Sequence, residues 1–211
     1  MQIQRPFAVV TPTVDGDVLA VLARHDSPLT ASDIHRAIGA RSIEGVRLVL
    51  NRLGGQGLVT VGRVGRTATY SLNRDHLAAP AVLELASLRA ELVDRLRSCI
   101  ASWIVQPVVA ALFGSFARGD SCLESDVDLF LVHSRLDDDH EPVWSDQIAR
   151  LADAIGRWTG NAAQILQYEA EEIDAGDRGI DEVVVAIARE RVLLAGPESW
   201  FANIRARHGA P

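Results

Sequence analysis

The chain has 211 residues with 48% hydrophobic and 23% charged side chains, enough apolar material for a buried core, which excludes wholesale disorder and leaves room for two small domains. No run reaches the roughly 18 apolar residues of a membrane helix, since residues 100–113 are interrupted by Ser102, Gln106 and Pro107, so no membrane partner is expected. Two cysteines, Cys99 and Cys122, cannot make a disulfide framework or a four-ligand zinc site, and the first ten residues lack a secretory pattern, so a reduced, cytoplasmic setting is expected.

The net charge of −7 argues against nucleic acid, but it is unevenly spread. Residues 1–75 carry nine Arg against six acids, and the rest carry twelve Arg against 22 acids. Between Ile34 and Arg74 there are seven Arg and a single acid, Glu44, a density suited to a phosphate backbone. Lysine is absent, so any phosphate contact must come from arginine, backbone amides or hydroxyls.

Val14, Val18, Val21 and Leu22 have helical spacing and stop at the turn Asp26-Ser27-Pro28-Leu29. Thr30 with Asp33 three residues on offers a capping box for a second helix bearing Ile34, Ala37 and Ile38, closed by Gly39. Ser42 caps a third, with Val46, Val49, Leu50 and Leu53 inward and Arg47, Asn51 and Arg52 outward. Leu58–Val61 and Thr67–Leu72 read as strands around a glycine-punctuated tip, Gly62 to Arg66, carrying Arg63 and Arg66. This order resembles a winged helix-turn-helix of the kind found in transcription regulators, over about Asp15 to Asn73. The resemblance implies a DNA-binding domain over residues 1–78, with Arg41, Arg47, Asn51 and Arg52 reading or anchoring double-stranded DNA and Arg63 and Arg66 contacting it from the wing. Protein contact alone is the competing use of such a domain.

After Pro80 a stripe of Leu85, Leu88, Leu92, Leu96, Ile100 and Trp103 predicts one long helix over 81–104, opening a second domain over 79–211 that closes in a short exposed tail. The stripe reads as core-facing, with a homodimer seam as the alternative. Trp103, Trp144, Trp158 and Trp200 read as core anchors rather than base-stacking platforms.

The apolar run Val108–Phe113 leads at once into Gly114-Ser115-Phe116-Ala117-Arg118-Gly119-Asp120. Ser125-Asp126-Val127-Asp128 then enters a second apolar run, Leu129–Val132. This stretch resembles the nucleotidyltransferase superfamily that includes DNA polymerase beta, and most of all its minimal branch: a strand, Gly-Ser, a gap of about ten residues, then Asp-x-Asp in the next strand. The resemblance implies an α/β (α+β) fold with a small mixed sheet flanked by helices. It also implies binding of a nucleoside triphosphate with Mg²⁺ (or Mn²⁺) and transfer of the nucleoside monophosphate to a hydroxyl on a protein, RNA or small molecule. Asp126 and Asp128 are the catalytic and metal-ligating candidates, because residues i and i+2 of a strand share a face and paired carboxylates suit a hard divalent cation. Gly114, Ser115, Arg118 and Ser125 are the nucleotide-binding candidates, with the turn into a helix available to phosphate oxygens.

Active relatives carry a third carboxylate on a later strand, and here the matching position is Gln164. Glutamine accepts no proton, so a general-base contribution of about 10²- to 10⁴-fold is missing or supplied elsewhere. Glu169 shares the face opposite Gln164 and Glu171 lies past the strand end, so neither is an evident replacement. The acidic run Asp137-Asp138-Asp139-His140-Glu141 reads as a solvated helix start rather than a metal cluster. Two functions are therefore expected to compete: a metal-dependent nucleotidyltransferase with a DNA-binding winged helix, or a DNA-binding regulator whose nucleotidyltransferase domain senses nucleotide or is catalytically weakened by Gln164.

Overall fold

The computed structural model describes residues 1–39, 41–174 and 178–207. The chain folds into two compact units, residues 2–89 and from residue 90 onward.

In the first unit a single 3-10 turn, Pro6–Val9, precedes α1 (Val14–Ala23), α2 (Ala31–Ile38) and α3 (Ile43–Gly55). Local chemistry sets the helix starts. Thr30 Oγ1 accepts from the Asp33 N–H at 3.2 Å while the Thr30 N–H donates to Asp33 Oδ2 at 3.2 Å, a reciprocal capping box. Ser42 Oγ accepts from the Gly45 N–H at 3.1 Å and opens α3. The strands β1 (Val59–Val64) and β2 (Thr67–Leu72) pair antiparallel with Val64 opposite Thr67. The hairpin tip is therefore only Gly65-Arg66, and Gly65 supplies the positive φ of +60° that so tight a loop requires. Leu29 bridges to Tyr70 and adds a third, minimal rung. Val18, Leu22, Ile34, Val46, Leu50 and Leu53 bury the shared core with Tyr70 and Leu72.

The single helix expected over 81–104 is instead two, α4 (Ala79–Ala86) and α5 (Leu88–Ala101). Between them the Ser87 hydroxyl donates to the Glu84 carbonyl at 2.9 Å, closing the first helix locally. The apolar stripe serves two cores: Val82 joins the core of the first unit with Leu83 and Leu85 packed against it, while Leu92, Leu96 and Ile100 are buried in the second. The chain divides into its two compact units after Arg89, within the first turn of α5.

The second unit is built on a four-stranded mixed sheet, β3 (Val109–Phe113), β4 (Val127–His133), β5 (Ala163–Glu169) and β6 (Val192–Ala195), in the order β5-β4-β3-β6. β4 runs parallel to β5, and β3 is antiparallel to both β4 and β6. This is the mixed, helix-flanked sheet expected from the sequence. The connections are α6 (Gly114–Arg118), α7 (His140–Thr159), α8 (Ala170–Asp174) and α9 (Arg178–Glu190). Both faces of β4 are covered. Phe130 and Val132, on one face, pack with Ile173, Val184 and Ile187, and Val127, Leu129 and Leu131, on the other, are fully buried.

The expected exposed tail is also corrected. Glu198–Arg207 forms α10, whose Phe201 and Ile204, one turn apart, are buried against Phe130 and Val184 in that core. No helix among the described residues is long and apolar enough to cross a membrane.

Candidate functional site

The site lies where β3 runs into α6 and where β4 begins. Asp128 is the second residue of β4, opposite Phe113 of β3, and Asp126 stands just before the strand rather than within it. Burial raises the Asp128 carboxyl above its usual range. The neighbouring Asp126 charge raises it further, and Arg118 opposes the shift. Two carboxylates that repel each other at a partly buried position are a donor set that a divalent cation would relieve.

Gly114 is where α6 starts, with a φ of +66°. A Cβ there would lie 2.1 Å from Asp128 Oδ2. The Asp128 carboxylate thus closes over the Gly114 backbone, and a side chain there would have to push it aside. α6 is a single turn of five residues with Phe113 at its N-cap and no side-chain cap. Ser115 is its second residue, so its hydroxyl is not spent as a cap, while its carbonyl takes the N–H groups of Gly119 (2.9 Å) and Asp120 (3.0 Å).

Two nucleotide-binding candidates are engaged within the protein. Arg118 Nε donates to Asp120 Oδ2 at 3.0 Å and its Nη1 to Glu190 Oε2 at 3.1 Å, and these carboxylates hold the guanidinium more firmly charged than usual. Ser125 Oγ accepts from the Cys122 N–H at 2.8 Å and meets Cys122 Sγ at 3.2 Å, which closes the turn ahead of Asp126 and lowers the Cys122 thiol pKa. Ser125 therefore shapes the loop that presents Asp126.

Asn161 performs a related task. Its side chain, almost wholly buried, donates through Nδ2 to the carbonyls of Leu123 (3.0 Å) and Ser125 (2.7 Å), fastening the same loop beside the start of β5. Asn161 and Glu190 were not found by sequence reasoning. Glu190 lies 72 residues from its partner, and Asn161 resembles any polar residue at a strand start.

Gln164 sits on β5 in parallel register with Asp128, so the two share one face of the sheet as adjacent residues. Gln164 is exposed. The opposite parity of Gln167 and Glu169 is equally clear: Gln167 Oε1 accepts from Trp144 Nε1 at 2.8 Å, and Glu169, in register with His133, pairs with Arg135 at 3.9 Å. Glu171 lies on α8, beyond the strand. No group of three or more His, Cys, Asp or Glu able to hold a metal occurs among the described residues. In the acidic run, Asp137 Oδ1 accepts from the His140 N–H at 2.9 Å and contacts Nδ1 at 2.6 Å, which holds Asp137 below its usual range at the start of α7.

On the first unit the arginines divide. Arg41 Nε bonds Asp17 Oδ2 at 3.0 Å, sharing that carboxylate with Arg5, and its Nη2 reaches the Pro12 carbonyl at 3.2 Å. Arg52 pairs with Asp15 across to α1 and with Gln56 Oε1 at 3.1 Å. Arg41 and Arg52 thus tie to α1, and Arg52 remains exposed. Among the described residues Arg47 pairs only with Glu44 one turn earlier, at 2.6 Å. Asn51, Arg63 and Arg66 are exposed, and no ion pair of Arg63 or Arg66 occurs among the described residues.

Residues 100–182 match the family described as Polymerase beta, Nucleotidyltransferase. No curated protein matches the chain. Two solved structures are similar over part of it. One, described as a toxin–antitoxin with AMP-PNP, shares 14% identity over 55% of this chain and 82% of that one, with a TM-score of 0.40. The other, the toxin–antitoxin MntA–HpeT in a mutant form, shares 12% identity over 56% of this chain and 86% of that one, with a TM-score of 0.39.

Proposed function

We propose that the polymerase beta-type nucleotidyltransferase domain matched over residues 100–182 binds a nucleoside triphosphate with Mg²⁺ or Mn²⁺ and transfers the nucleoside monophosphate slowly to a hydroxyl acceptor. The observation that carries this reading is the Asp126–Asp128 pair at the start of β4, with Asp128 seated against a positive-φ glycine where any Cβ would displace its carboxylate. Two carboxylates fit Mg²⁺, which is usually held by one or two of them and completes its shell with water and phosphate oxygens. When bound, the ion would neutralise charge on the triphosphate and on the departing pyrophosphate.

The chain's own residues then have distinct tasks. Asp126 and Asp128 hold the cation. Gly114 leaves the space that lets Asp128 lie against the backbone, and the Ser115 hydroxyl beside it is available to a phosphate oxygen. Ser125 and Asn161 position the loop carrying Asp126. Arg118 offsets the acidity around Asp128, and with Nε on Asp120 and Nη1 on Glu190 it keeps Nη2 donors for a phosphate. Gln164 can orient a neighbour by hydrogen bonding but cannot take a proton, so turnover is expected to fall by about 10²- to 10⁴-fold relative to a carboxylate at that position, with binding retained.

The test is incubation with each α-labelled nucleoside triphosphate, Mg²⁺ or Mn²⁺, and candidate acceptors. Slow label transfer is expected from the parent chain, faster transfer from Gln164→Asp, and none from Asp126→Asn. Label transfer that survives Asp126→Asn at the parent rate defeats the assignment.

A second reading concerns the first unit, and exposed arginine on its hairpin favours it. On this account the unit is a winged helix-turn-helix that meets double-stranded DNA through Arg63 and Arg66 of the wing and Arg47 and Asn51 of α3. An exposed pair such as Arg47–Glu44 contributes about 0 to 1 kcal/mol, so a phosphate can displace Glu44. Arg41 and Arg52 serve this surface by bracing it. Retardation of genomic fragments should weaken steeply with salt and fall with Arg63→Ala. Indifference to both salt and that substitution would remove the DNA-binding role and leave a regulator or transferase without it.

A further inference from the structure

We propose that the first unit holds a separate site for a small organic anion, a carboxylate or a phosphate monoester, in a cavity between the N-terminal turn, α1 and α2. The cavity has a volume of about 460 Å³, within the range typical of small-molecule sites. Its polar lining is Gln4, Arg5, Asp17, Arg24 and Arg41, and its apolar lining includes Phe7, Val21 and Ile38.

The charge is unbalanced. Among the described residues Asp17 is the only carboxylate in the lining, and it takes two bonds from Arg5 (2.9 and 3.0 Å) and one from Arg41 (3.0 Å). Each guanidinium carries five N–H donors, so both retain donors after meeting Asp17. Arg24 is exposed at the cavity and has no ion pair among the described residues. Three cations around one carboxylate leave a net positive lining with donors to spare, which is the chemistry that recognises a planar or tetrahedral oxyanion.

Gln4 adds a second demand. Its Oε1 is shielded from solvent and has no hydrogen-bond partner among the described residues, a costly state for a buried acceptor. Its terminal torsion is soft, so a ligand N–H or O–H in the cavity can satisfy it after a small rotation. The apolar wall accommodates the ligand's body. The class that fits is therefore an oxyanion on a compact apolar frame that also bears a hydrogen-bond donor.

The test is calorimetric titration of the full chain with para-hydroxybenzoate, para-hydroxyphenyl phosphate and the neutral para-hydroxybenzamide, without divalent metal. At least one anion is expected to bind and the amide is not, and comparison of the two anions separates carboxylate from phosphate recognition. Arg24→Gln, an exposed change that leaves the Arg5–Asp17–Arg41 network in place, should weaken binding about tenfold, as loss of one charge-assisted bond requires. Asp126→Asn should leave it unchanged. Absence of binding by both anions overturns the proposal, as does equal binding of the amide. Insensitivity to Arg24→Gln, or loss in Asp126→Asn, would equally overturn it by moving the anion elsewhere.

Discussion

A methyl group on Gly114 would stand 2.1 Å from Asp128 Oδ2, on a backbone whose φ is +66°. Both facts forbid the same substitution for different reasons, one steric and one conformational. Gly114→Ala should cost about 1–3 kcal/mol of stability, measured by urea unfolding, and should displace Asp128 enough to weaken nucleotide binding. The Asp128 carboxyl gives a second, pH-dependent expectation. Its folded pKa is raised above the usual 3.8 by burial and then by Asp126. A group with a raised folded pKa contributes stability at pH values below its unfolded pKa, and loses that contribution as pH rises through the folded value. The ionised form is therefore the strained one. Asp128→Asn should melt above the parent chain in metal-free buffer at neutral pH, and the difference should close as pH falls toward about 4. At this scale the Gly-Ser and Asp-x-Asp residues were legible because their spacing is a local property of one strand and one turn. The partners of Arg118, Ser125 and Arg41 were not, because each is chosen by a fold that brings distant carbonyls and carboxylates together.

Among the elements, those with a chemical start signal were read most accurately. Thr30 and Ser42 cap α2 and α3 as their positions in the sequence imply, and β4 covers the apolar run Leu129–Val132 expected to follow Asp128. Failures occurred where an apolar pattern was ambiguous about its destination. The stripe from Leu85 to Ile100 is periodic enough for one helix, yet it breaks at Ser87 because its first turns bury in one core and its later turns in another. Residues after Gly196 read as a tail because the apolar Trp200, Phe201 and Ile204 alternate with charged and small residues over a short stretch, and tertiary packing decided the matter. Phe201 is fully buried, 6.0 Å from the Phe130 ring and beneath the Arg191 guanidinium at 4.2 Å. Phe201→Ala should therefore cost about 3–5 kcal/mol in denaturant unfolding of the full chain, whereas an exposed tail would lose nothing measurable.

For the whole molecule, the charge of −7 is a sum over two units of opposite character. The acidic second unit presents carboxylates that a metal-nucleotide complex would neutralise, and the basic first unit spends part of its arginine internally: Arg5 and Arg41 on Asp17, Arg52 on Asp15, Arg74 on Asp26. The surplus visible from the sequence is thus smaller at the outer surface than a count implies, and it is concentrated on the hairpin and at the cavity lined by Arg24. The second unit carries a mixed sheet and, over residues 100–182, the match to the polymerase beta nucleotidyltransferase family, with Gln164 in register beside Asp128. The central claim is that Asp126 and Asp128 recruit nucleotide through a divalent cation. Calorimetric titration of nucleoside triphosphates into the full chain tests it most directly, run with Mg²⁺, with a metal chelator, and in Asp128→Asn. Binding that requires Mg²⁺ and is lost in the variant is the predicted result, and binding of equal strength under all three conditions would contradict the claim.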